Sequence, residues 1–434
     1  LIMKKILLYT TFLLSICSHV IAVELSKALS EAFKNNPELN AERENLKVSQ
    51  EDLKVSKSEF LPSITITGTK SEEDTDKLTD RSGNNSAIDD VNTKKQTVTV
   101  EQKIFQGFGG VADLQKNEIG IELAKIKLII KEQEVLFKAI EGFTGVLLAD
   151  QKFSIYEQNL NLLERQVETD RARLEKGQIS IADLAQSESS LAGAEAKFIG
   201  AKNDVVTAKL IYEKVIGPLA VDAKLNKEID IIPNIPESLN KALQISNSKS
   251  PDLIVAKLEY EQSKKDVVIA RSELSPSASI SLESSKTDDL SSTYDEQDKD
   301  TMTAKITLPL FKGGKNYANL SRSKNLNKRK RLLYDNAIKN NDSNVASAWS
   351  KLQSSKRFLD SVRLQVKAAE IANEGITIEY ETGLGRTTLD LIQSNTLLLD
   401  AKISLADAER DYLLTQFRFL RVVGLLTSNH LKLQ

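Results

Sequence analysis

Residues Gly177 to Ser187 read G-Q-I-S-I-A-D-L-A-Q-S, and residues Gly383 to Ser394 read G-L-G-R-T-T-L-D-L-I-Q-S. In each stretch a glycine interrupts a long helical pattern, a short polar link follows, and D-L-x-Q-S opens a second helix. Each stretch therefore predicts the tip of a helical hairpin. The matching residues are Asp183 with Asp390, Leu184 with Leu391, Gln186 with Gln393, and Ser187 with Ser394.

The match between the two tips extends along the chain, which indicates an internal duplication. We expect a first repeat over residues 23–217, a link over 218–238, a second repeat over 239–424 and a tail over 425–434. The register shifts only in the polar loop of each repeat and by one residue at the tips. Other matching residues are Pro37 with Pro251, Pro62 with Pro276, Phe105 with Phe311, Gly107 with Gly313, and Gly217 with Gly424.

The beginning of the sequence has the composition of a secretory signal. Two lysines precede an apolar run, and Ala22 is a small residue suited to cleavage, so we expect residues 1–22 to be removed on export. Cys17, the only cysteine, lies in this segment, and we expect no disulfide in the mature chain. Leu14-Ser15-Ile16-Cys17 also resembles a lipoprotein signal, so lipidation of Cys17 stays open.

Composition excludes several classes of function. A net charge of -2 gives no electrostatic support for a polyanionic partner, and we expect no nucleic-acid binding. The two histidines, His19 and His430, lie near the ends of the sequence, and no histidine–carboxylate cluster has metal-ligand spacing. We therefore expect no enzyme activity, no cofactor and no metal.

Long proline-free segments predict long helices, because proline breaks a helix interior. Apolar residues recur there at intervals of three and four, which is a helical face. The first of these helices, if continuous, is on the order of 100 Å long. The predicted long helices span residues 111–176, 181–216, 315–381 and 388–424.

Two seams with seven-residue spacing run along the helix after each tip. In the first repeat a seam of large residues lies beside a seam of small residues three positions further on. This alternation predicts close, coiled-coil packing of antiparallel helices. The large residues are Leu184, Leu191, Phe198, Val205 and Tyr212, and the second seam is Ser187, Ala194, Ala201, Ala208 and Val215.

Four segments alternate apolar and polar residues, which predicts strands at residues 61–70, 97–105, 275–284 and 302–311. Strands of about ten residues with one apolar face have the length and pattern of membrane-spanning barrel strands. Four strands cannot close a barrel, and lipid does not tolerate an open sheet edge, so the chain must oligomerise if they enter a membrane. Polar loops over Ser71 to Asn92 and Lys286 to Asp300 are predicted as solvated surface.

Three further motifs carry a family resemblance. Ile104 to Gly110 reads I-F-Q-G-F-G-G, Pro309 to Gly314 reads P-L-F-K-G-G, and Arg386 to Leu391 reads R-T-T-L-D-L. With the signal segment and the two repeats, they resemble the TolC-type outer-membrane efflux and secretion channels of Gram-negative bacteria. The likeness covers essentially the whole mature chain.

The resemblance implies a mainly α fold with membrane β structure. In it, long antiparallel coiled-coil helices form an α-barrel tunnel, and a homotrimer completes a twelve-stranded β-barrel from four strands per chain. It implies a passive exit duct in the outer membrane that extends into the periplasm and serves a tripartite efflux pump or a type I secretion system. Its partners are then a periplasmic adaptor (membrane fusion) protein, an inner-membrane pump and outer-membrane lipid. The alternative is an exported coiled-coil structural or interaction protein without a pore.

Three sets of candidate residues follow from the repeats and the resemblance. The candidate gate, where three copies of each acid form a negative ring that selects cations or is tied shut by neighbouring polar groups, comprises Asp390, Gln393, Arg386, Asp183 and Gln186. The candidate adaptor-docking tip comprises Gly177, Gln178, Ile179, Ser180, Gly383, Leu384 and Gly385. The candidate barrel-to-helix turns comprise Gly107, Gly109, Gly110, Gly313 and Gly314.

Structural roles for the same residues stay open beside these functions. Ser180 and Thr387 are suited to cap the helix after each tip, with Asp183 and Asp390 in its first turn. Gly107-x-Gly109 also matches a dinucleotide-binding turn, but the strand before it is polar on one face, which favours a tight turn. The basic run Lys324, Lys328, Arg329, Lys330 and Arg331 is predicted as a solvated face, or as a contact with phospholipid or lumen anions.

Overall fold

The computed structural model describes residues 22–85, 91–220, 223–231, 234–291, 294–382 and 385–433. The predicted signal segment, with Cys17, lies outside them except for Ala22. In the first repeat the elements are α1 (Leu25–Asn35), α2 (Pro37–Ser58), β1 (Ser63–Lys70), β2 (Lys94–Gln106), α3 (Gly109–Glu175) and α4 (Ile181–Val215). In the second repeat they are α5 (Leu239–Lys249), α6 (Pro251–Ser272), β3 (Ser277–Asp288), β4 (Glu296–Thr307), α7 (Lys315–Glu381) and α8 (Thr388–Val423).

The chain divides into two compact units, each built from both repeats. The helical unit comprises the described residues of 1–42, 128–252 and 338–434. The sheet unit comprises the described residues of 43–127 and 253–337. No helix of the described residues is long and apolar enough to cross a membrane.

The sheet unit contains one antiparallel sheet in the strand order β1-β2-β3-β4. Ser63 of β1 lies opposite Glu101 of β2, and Ser277 of β3 lies opposite Thr307 of β4. The β2–β3 ladder is irregular between Lys103 and Phe105. In the described chain β1 and β4 each pair along one side only, so they are the edges of the sheet.

The strands differ in length from the predicted ones. β3 continues to Asp288 and β4 begins at Glu296, so most of the predicted loop from Lys286 to Asp300 is hairpin. Antiparallel pairing continues through these polar residues because the ladder is made by backbone groups, whatever the side chains. β4 ends at Thr307, which leaves Leu308 and Leu310 outside the strand. Pro309 follows at once and has no N–H to donate to a ladder.

The core of the helical unit lies around α1. Four residues of this amphipathic helix, Leu25, Ala28, Leu29 and Ala32, are completely buried. They belong to one apolar cluster with Phe143 of α3, Tyr212 of α4 and Phe417 and Phe419 of α8. Burying a large side chain of this kind stabilises a fold by about 1.5–3 kcal/mol. A short helix thus anchors three long ones.

Both predicted seams take part in helix packing, but the small one is buried more deeply. In α4 three residues of the small seam, Ser187, Ala194 and Ala201, are buried, whereas only Tyr212 of the large seam is buried. The half-buried residues are Ala208 and Val215 of the small seam and Leu184, Leu191, Phe198 and Val205 of the large one. In α8 the matching small residues Ser394, Ala401, Ala408 and Thr415 are buried as well. Small residues permit close approach of helices, and this close approach shields them from solvent.

Helix α8 ends at a glycine that no other residue can replace without strain. Gly424 has φ +85, and its N–H donates to the carbonyls of Leu420 and Arg421. A Cβ atom at Gly424 would collide with the Lys249 carbonyl oxygen, and it would lie 2.7 Å from the Lys249 carbonyl carbon and 3.1 Å from the Ser250 nitrogen. The backbone between α5 and α6 therefore lies directly against the end of α8.

Replacing Gly424 by alanine should lower the free energy of unfolding by about 2 to 5 kcal/mol. The left-handed backbone costs about 1–2 kcal/mol for an L-residue, and overpacking against backbone costs about 1–3 kcal/mol more. Gly193→Ala is the matched control, because Gly193 lies within α4 with nothing near its Cβ position. That variant should gain about 0.5–1 kcal/mol from helix propensity. Equal stability of the two variants in denaturant titrations would contradict the close approach.

Candidate functional site

The first tip joins α3 to α4 through a glycine-ended helix. The Gly177 N–H donates to the Leu174 carbonyl at 2.9 Å, and the Gln178 N–H donates to the Arg173 carbonyl at 2.9 Å. This pair of hydrogen bonds is the Schellman motif, which requires a left-handed residue. Gly177 has φ +66, as the sequence predicts. Of the other predicted docking residues in this tip, Gln178 is exposed and Ile179 is half-buried.

Both helices after the tips begin with a capping box. At the first tip Ser180 Oγ accepts from the Asp183 N–H at 3.2 Å, and Asp183 Oδ2 accepts from the Ser180 N–H at 3.0 Å. At the second, Thr387 Oγ1 accepts from the Asp390 N–H at 3.2 Å, and Asp390 Oδ2 accepts from the Thr387 N–H at 2.9 Å. The predicted caps at Ser180 and Thr387, with Asp183 and Asp390 in the first turn, are confirmed.

These hydrogen bonds stabilise the charged form of each acid. The Ser180 hydroxyl and then the Ser180 N–H lower the pKa of Asp183. The Thr387 N–H and then the Thr387 hydroxyl lower the pKa of Asp390, with a further contribution from the Arg386 charge. Both acids are therefore anions at neutral pH.

The second tip is built differently from the first. Gly383 and Leu384, two predicted docking residues, lie outside the described residues. Gly385 has φ +84 and is the positive-φ residue of the described link. Arg386 Nε donates to Glu379 Oε2 at 2.6 Å, so the predicted gate arginine pairs within its own hairpin. Gln393 and its counterpart Gln186 are exposed one turn after the capping acids.

A cluster that the sequence analysis missed lies behind the tips. Asp170 of α3 is completely buried. Its carboxylate accepts from Ser187 Oγ at 2.6 Å, from Gln166 Nε2 at 2.9 Å and from the Tyr380 hydroxyl at 2.9 Å. The Tyr380 hydroxyl also lies 3.2 Å from Thr388 Oγ1. We call these five residues the Asp170 cluster.

The Asp170 cluster joins the two hairpins. Asp170 and Ser187 belong to the first hairpin, and Tyr380 and Thr388 belong to the second. Arg173 lies over the Tyr380 ring, with its guanidinium carbon 4.4 Å from the ring centre. Burial raises the pKa of Tyr380, so the hydroxyl keeps its proton and remains a donor. An acid without its partners in such a place is costly, because it leaves a buried charge uncompensated.

The cluster has only a neutral analogue in the other half of the duplication. Ser394, the match of Ser187, accepts from Asn373 Nδ2 at 3.2 Å, and the same nitrogen donates to Asn395 Oδ1 at 2.7 Å. The sequence contained one signal for this cluster. Asp170 lies on the same helical face as the buried residues Leu163 and Val167. An acid at such a position indicates partners on a neighbouring helix.

The strand-to-helix turns agree with the glycine turns predicted from the sequence. Gly107 has φ +59, and a Cβ there would lie 2.5 Å from Ser275 Cβ. Gly313 and Gly314 have φ +58 and +80. Gly109 and Gly110 begin α3, where a Cβ at Gly109 would collide with Ser272. Since β2 is antiparallel to both of its neighbours, the turn does not belong to a parallel nucleotide-binding sheet.

Among the described residues no group of His, Cys, Asp and Glu side chains is arranged to hold a metal ion. The tips instead present charged groups on helix ends and a buried hydrogen-bonded acid between two hairpins. This arrangement holds two hairpins together and places anions at the ends of helices.

Comparison with known proteins gives the class. Residues 28–217 and 242–425 match the family described as "Outer membrane efflux protein". The chain is 27% identical over 412 residues to the outer membrane efflux protein BepC of Brucella suis biovar 1, with 94% of this chain and 87% of that protein covered. It is 22% identical over 439 residues to the alkaline protease secretion protein AprF of Pseudomonas aeruginosa, covering 98% and 89%.

The fold is shared with solved channels at lower identity. The CmeC outer membrane channel of Campylobacter jejuni superposes with a TM-score of 0.79 at 15% identity, covering 92% of this chain and 85% of that one. A duplicated chain with long helical hairpins and a four-stranded antiparallel sheet thus defines the class of outer-membrane efflux and secretion channels. This chain belongs to the outer membrane efflux protein family and is an outer-membrane protein. The resemblance predicted from the sequence is confirmed, and the names of these relatives describe efflux, secretion and channel proteins, not enzymes.

Replacing Tyr380 by phenylalanine should loosen the tips. The change removes the hydroxyl shared by Asp170 and Thr388, and a buried acceptor without its donor costs about 1–3 kcal/mol. Amide hydrogen exchange should accelerate on both sides of the cluster, near Asp170 and near Thr388. Tyr156→Phe is the control, because Tyr156 is half-buried on α3, the helix of Asp170, and its hydroxyl makes no hydrogen bond within the described structure. Unchanged exchange in the Tyr380 variant would show that the cluster does not join the hairpins.

Replacing Thr387 by alanine should raise the pKa of Asp390 toward its ordinary value of 3.8 and cost about 1 kcal/mol at neutral pH. Because the folded-state pKa is lowered, the hydrogen bond from the Thr387 hydroxyl to the Asp390 carboxylate contributes stability above pH 3.8 and loses it as the pH falls through the folded pKa. The difference in unfolding free energy between wild type and variant should therefore be constant above about pH 5 and shrink below 3.8. Thr396→Ala, later on the same helix, should give a difference that does not depend on pH.

Proposed function

We propose that this chain forms a passive homotrimeric duct, the outer-membrane exit of a tripartite efflux pump or a type I secretion system. The sheet lies in the outer membrane and the hairpin tips lie in the periplasm. The observation that carries the proposal is the distribution of side chains on the two faces of the sheet.

One face of the sheet carries a row of apolar side chains that is exposed in the described chain. Ile64, Val100, Leu282 and Met302 lie opposite one another across the four strands. Ile64 is 69% exposed and Met302 is 70% exposed. The neighbouring row on the other face is polar and consists of Thr65, Thr99, Glu283 and Thr301. Apolar outside and polar inside is the pattern of a barrel strand between lipid and a water-filled lumen.

The edges of the sheet require further copies. Both edge strands have backbone groups that no strand of the described chain pairs with. In lipid such groups have no water to bond, so the sheet must close on itself. Three copies, joined edge to edge, give the twelve-stranded barrel that the family resemblance implies.

The proposed gate lies at the tips of the helical unit. In the closed state the Asp170 cluster ties the second hairpin to the first through Tyr380 and Asp170. Opening moves the second hairpin away and breaks this contact. Three copies of Asp390, with Arg386 and Gln393 beside them, surround the mouth, and three copies of Asp183 and Gln186 lie on the first hairpins. The resulting anionic ring selects cations.

The proposed docking surface for the periplasmic adaptor is the pair of links between helices. Gln178 and Gly385 are exposed, and the set also includes Gly177, Ile179, Ser180, Gly383 and Leu384. The cargo stays open among a drug, a metal ion and a protein: relatives are named for efflux, for cobalt-zinc-cadmium resistance and for secretion of a protease. The inner-membrane pump that supplies the energy determines which class passes.

The test is single-channel conductance of the detergent-purified protein in planar bilayers. We expect a small, cation-preferring conductance whose open probability rises in Tyr380→Phe. A water-soluble monomer without conductance would instead support an exported coiled-coil protein without a pore.

Two variants of Asp390 separate the ring from the cap. Asp390→Asn removes the charge but retains an oxygen that accepts the Thr387 N–H, whereas Asp390→Ala removes both. Equal loss of cation preference in the two variants supports the anionic ring. A change in the alanine variant alone would reduce Asp390 to a helix cap.

A further inference from the structure

We propose that copies of this chain associate head to tail through α2 of one copy and α7 of the next, with an ion pair between Asp52 and Arg322 of different copies. The inference rests on the proposed function only in that it requires the chain to self-associate. It assigns the residues that make the contact.

The helices of the sheet unit are packed in a single row. Ser56 of α2 donates to Asp113 of α3 at 2.7 Å. Lys116 of α3 pairs with Asp266 of α6 at 2.8 Å. Helix α6 in turn contacts α7 through an Asn327–Ser263 hydrogen bond at 2.9 Å and a Lys330–Glu259 ion pair at 2.6 Å. The row is α2, α3, α6, α7, so α2 and α7 are its two ends.

The order of the helices follows the order of the strands. In the sheet and in the row of helices alike, the first repeat supplies one end and the second repeat supplies the other. The end helices α2 and α7 therefore accompany the edge strands β1 and β4. Any association that joins β4 of one copy to β1 of the next also brings α7 of the first copy to α2 of the next.

The duplication predicts how these two helices meet. Pro37 matches Pro251, and at the same spacing Asp52 of α2 matches Asp266 of α6. Phe105 matches Phe311, and at the same spacing Arg322 of α7 matches Lys116 of α3. The α3–α6 contact inside one chain thus has a counterpart between α7 and α2. One chain cannot make it, because those helices lie at opposite ends of the row.

The chemistry of the matched residues is preserved. The Lys116–Asp266 pair becomes Arg322–Asp52, a base opposite an acid in both places. Both Asp52 and Arg322 are exposed, and neither forms an ion pair in the described part of the chain. The in-chain pair, by contrast, is partly covered, with the Lys116 side chain 36% exposed. Two unpaired opposite charges remain where the repeat places a contact.

The surrounding surfaces are complementary as well. Helix α2 runs toward the sheet and α7 runs away from it, so the two helices are antiparallel in the proposed contact. When Asp52 lies opposite Arg322, Glu44 lies at the level of Arg329. Val48 and Val55, on the same free face of α2, are 55% and 65% exposed. A second α-helix covers such a stripe, and opposite charges beside it favour one register. This assigns Arg329 of the basic run to the contact between copies.

The test is covalent linkage of Asp52→Cys with Arg322→Cys in one chain. Cys17 lies in the predicted signal, so the introduced thiols are the only ones expected in the mature protein. A short bismaleimide should give a ladder of linked chains that ends at the trimer in denaturing gels. In the control Lys116→Cys with Asp266→Cys, the same reagent should link within one chain and give no ladder. Asp52→Cys with Arg331→Cys lies about 13 Å out of register and should link poorly.

Charge reversal gives an independent readout. Asp52→Arg and Arg322→Asp, each alone, should increase dissociation of the trimer in mild denaturant by about fivefold. The double reversal should restore wild-type dissociation because the pair is re-formed with opposite polarity. Independent, additive losses in the double variant would overturn the pairing.

The outcomes separate this inference from the proposed function. A protein that is trimeric by light scattering and conducts ions, but gives no ladder with Asp52→Cys and Arg322→Cys, overturns the pairing and leaves the duct intact. A wild-type protein that is monomeric and does not conduct overturns the proposed function, and the inference with it. A ladder in the off-register control as strong as in the paired variant also overturns the assignment.

Discussion

The backbone groups along the edges of the sheet place the strongest constraint on this molecule. Apolar side chains on an exposed face of a sheet are stable in lipid. Open sheet edges are not, because lipid contains no water to form hydrogen bonds with the unpaired N–H and C=O groups. The strand order and the helix order both run from the first repeat to the second, so the two ends of each come from different repeats. The duplication thus leaves two strand edges unpaired in the described chain.

The two repeats differ where the hairpins meet. Both repeats retain a capping box, whose hydrogen bonds join residues only three positions apart in sequence. Only the first repeat places an acid, Asp170, in the buried face, and only the second supplies the tyrosine that satisfies it. A buried carboxylate is stable while all its donors are present and costly when one leaves.

Many features of the fold were predictable from sequence because they depend on local chemistry. Proline and glycine marked the ends of helices, seven-residue seams predicted the hairpins, and alternation predicted four strands. The strand ends were less accurate, since polar residues beyond Lys286 continue the hairpin by backbone pairing alone. The caps at Ser180 and Thr387 were found because a cap is a short-range signal.

The sequence alone determined the duplication, the family, and the residues that end each helix, because each of these is encoded in local spacing. Only the tertiary structure decided which distant residues meet. Asp170 and Tyr380 are far apart in sequence, and neither belongs to a recognisable motif, yet their side chains are hydrogen-bonded. The row of helices in the sheet unit was likewise a matter of packing, and it leaves Asp52 and Arg322 without an ion-pair partner in the described part of their own chain. Contacts of this kind depend on how whole helices align, which residue spacing does not specify.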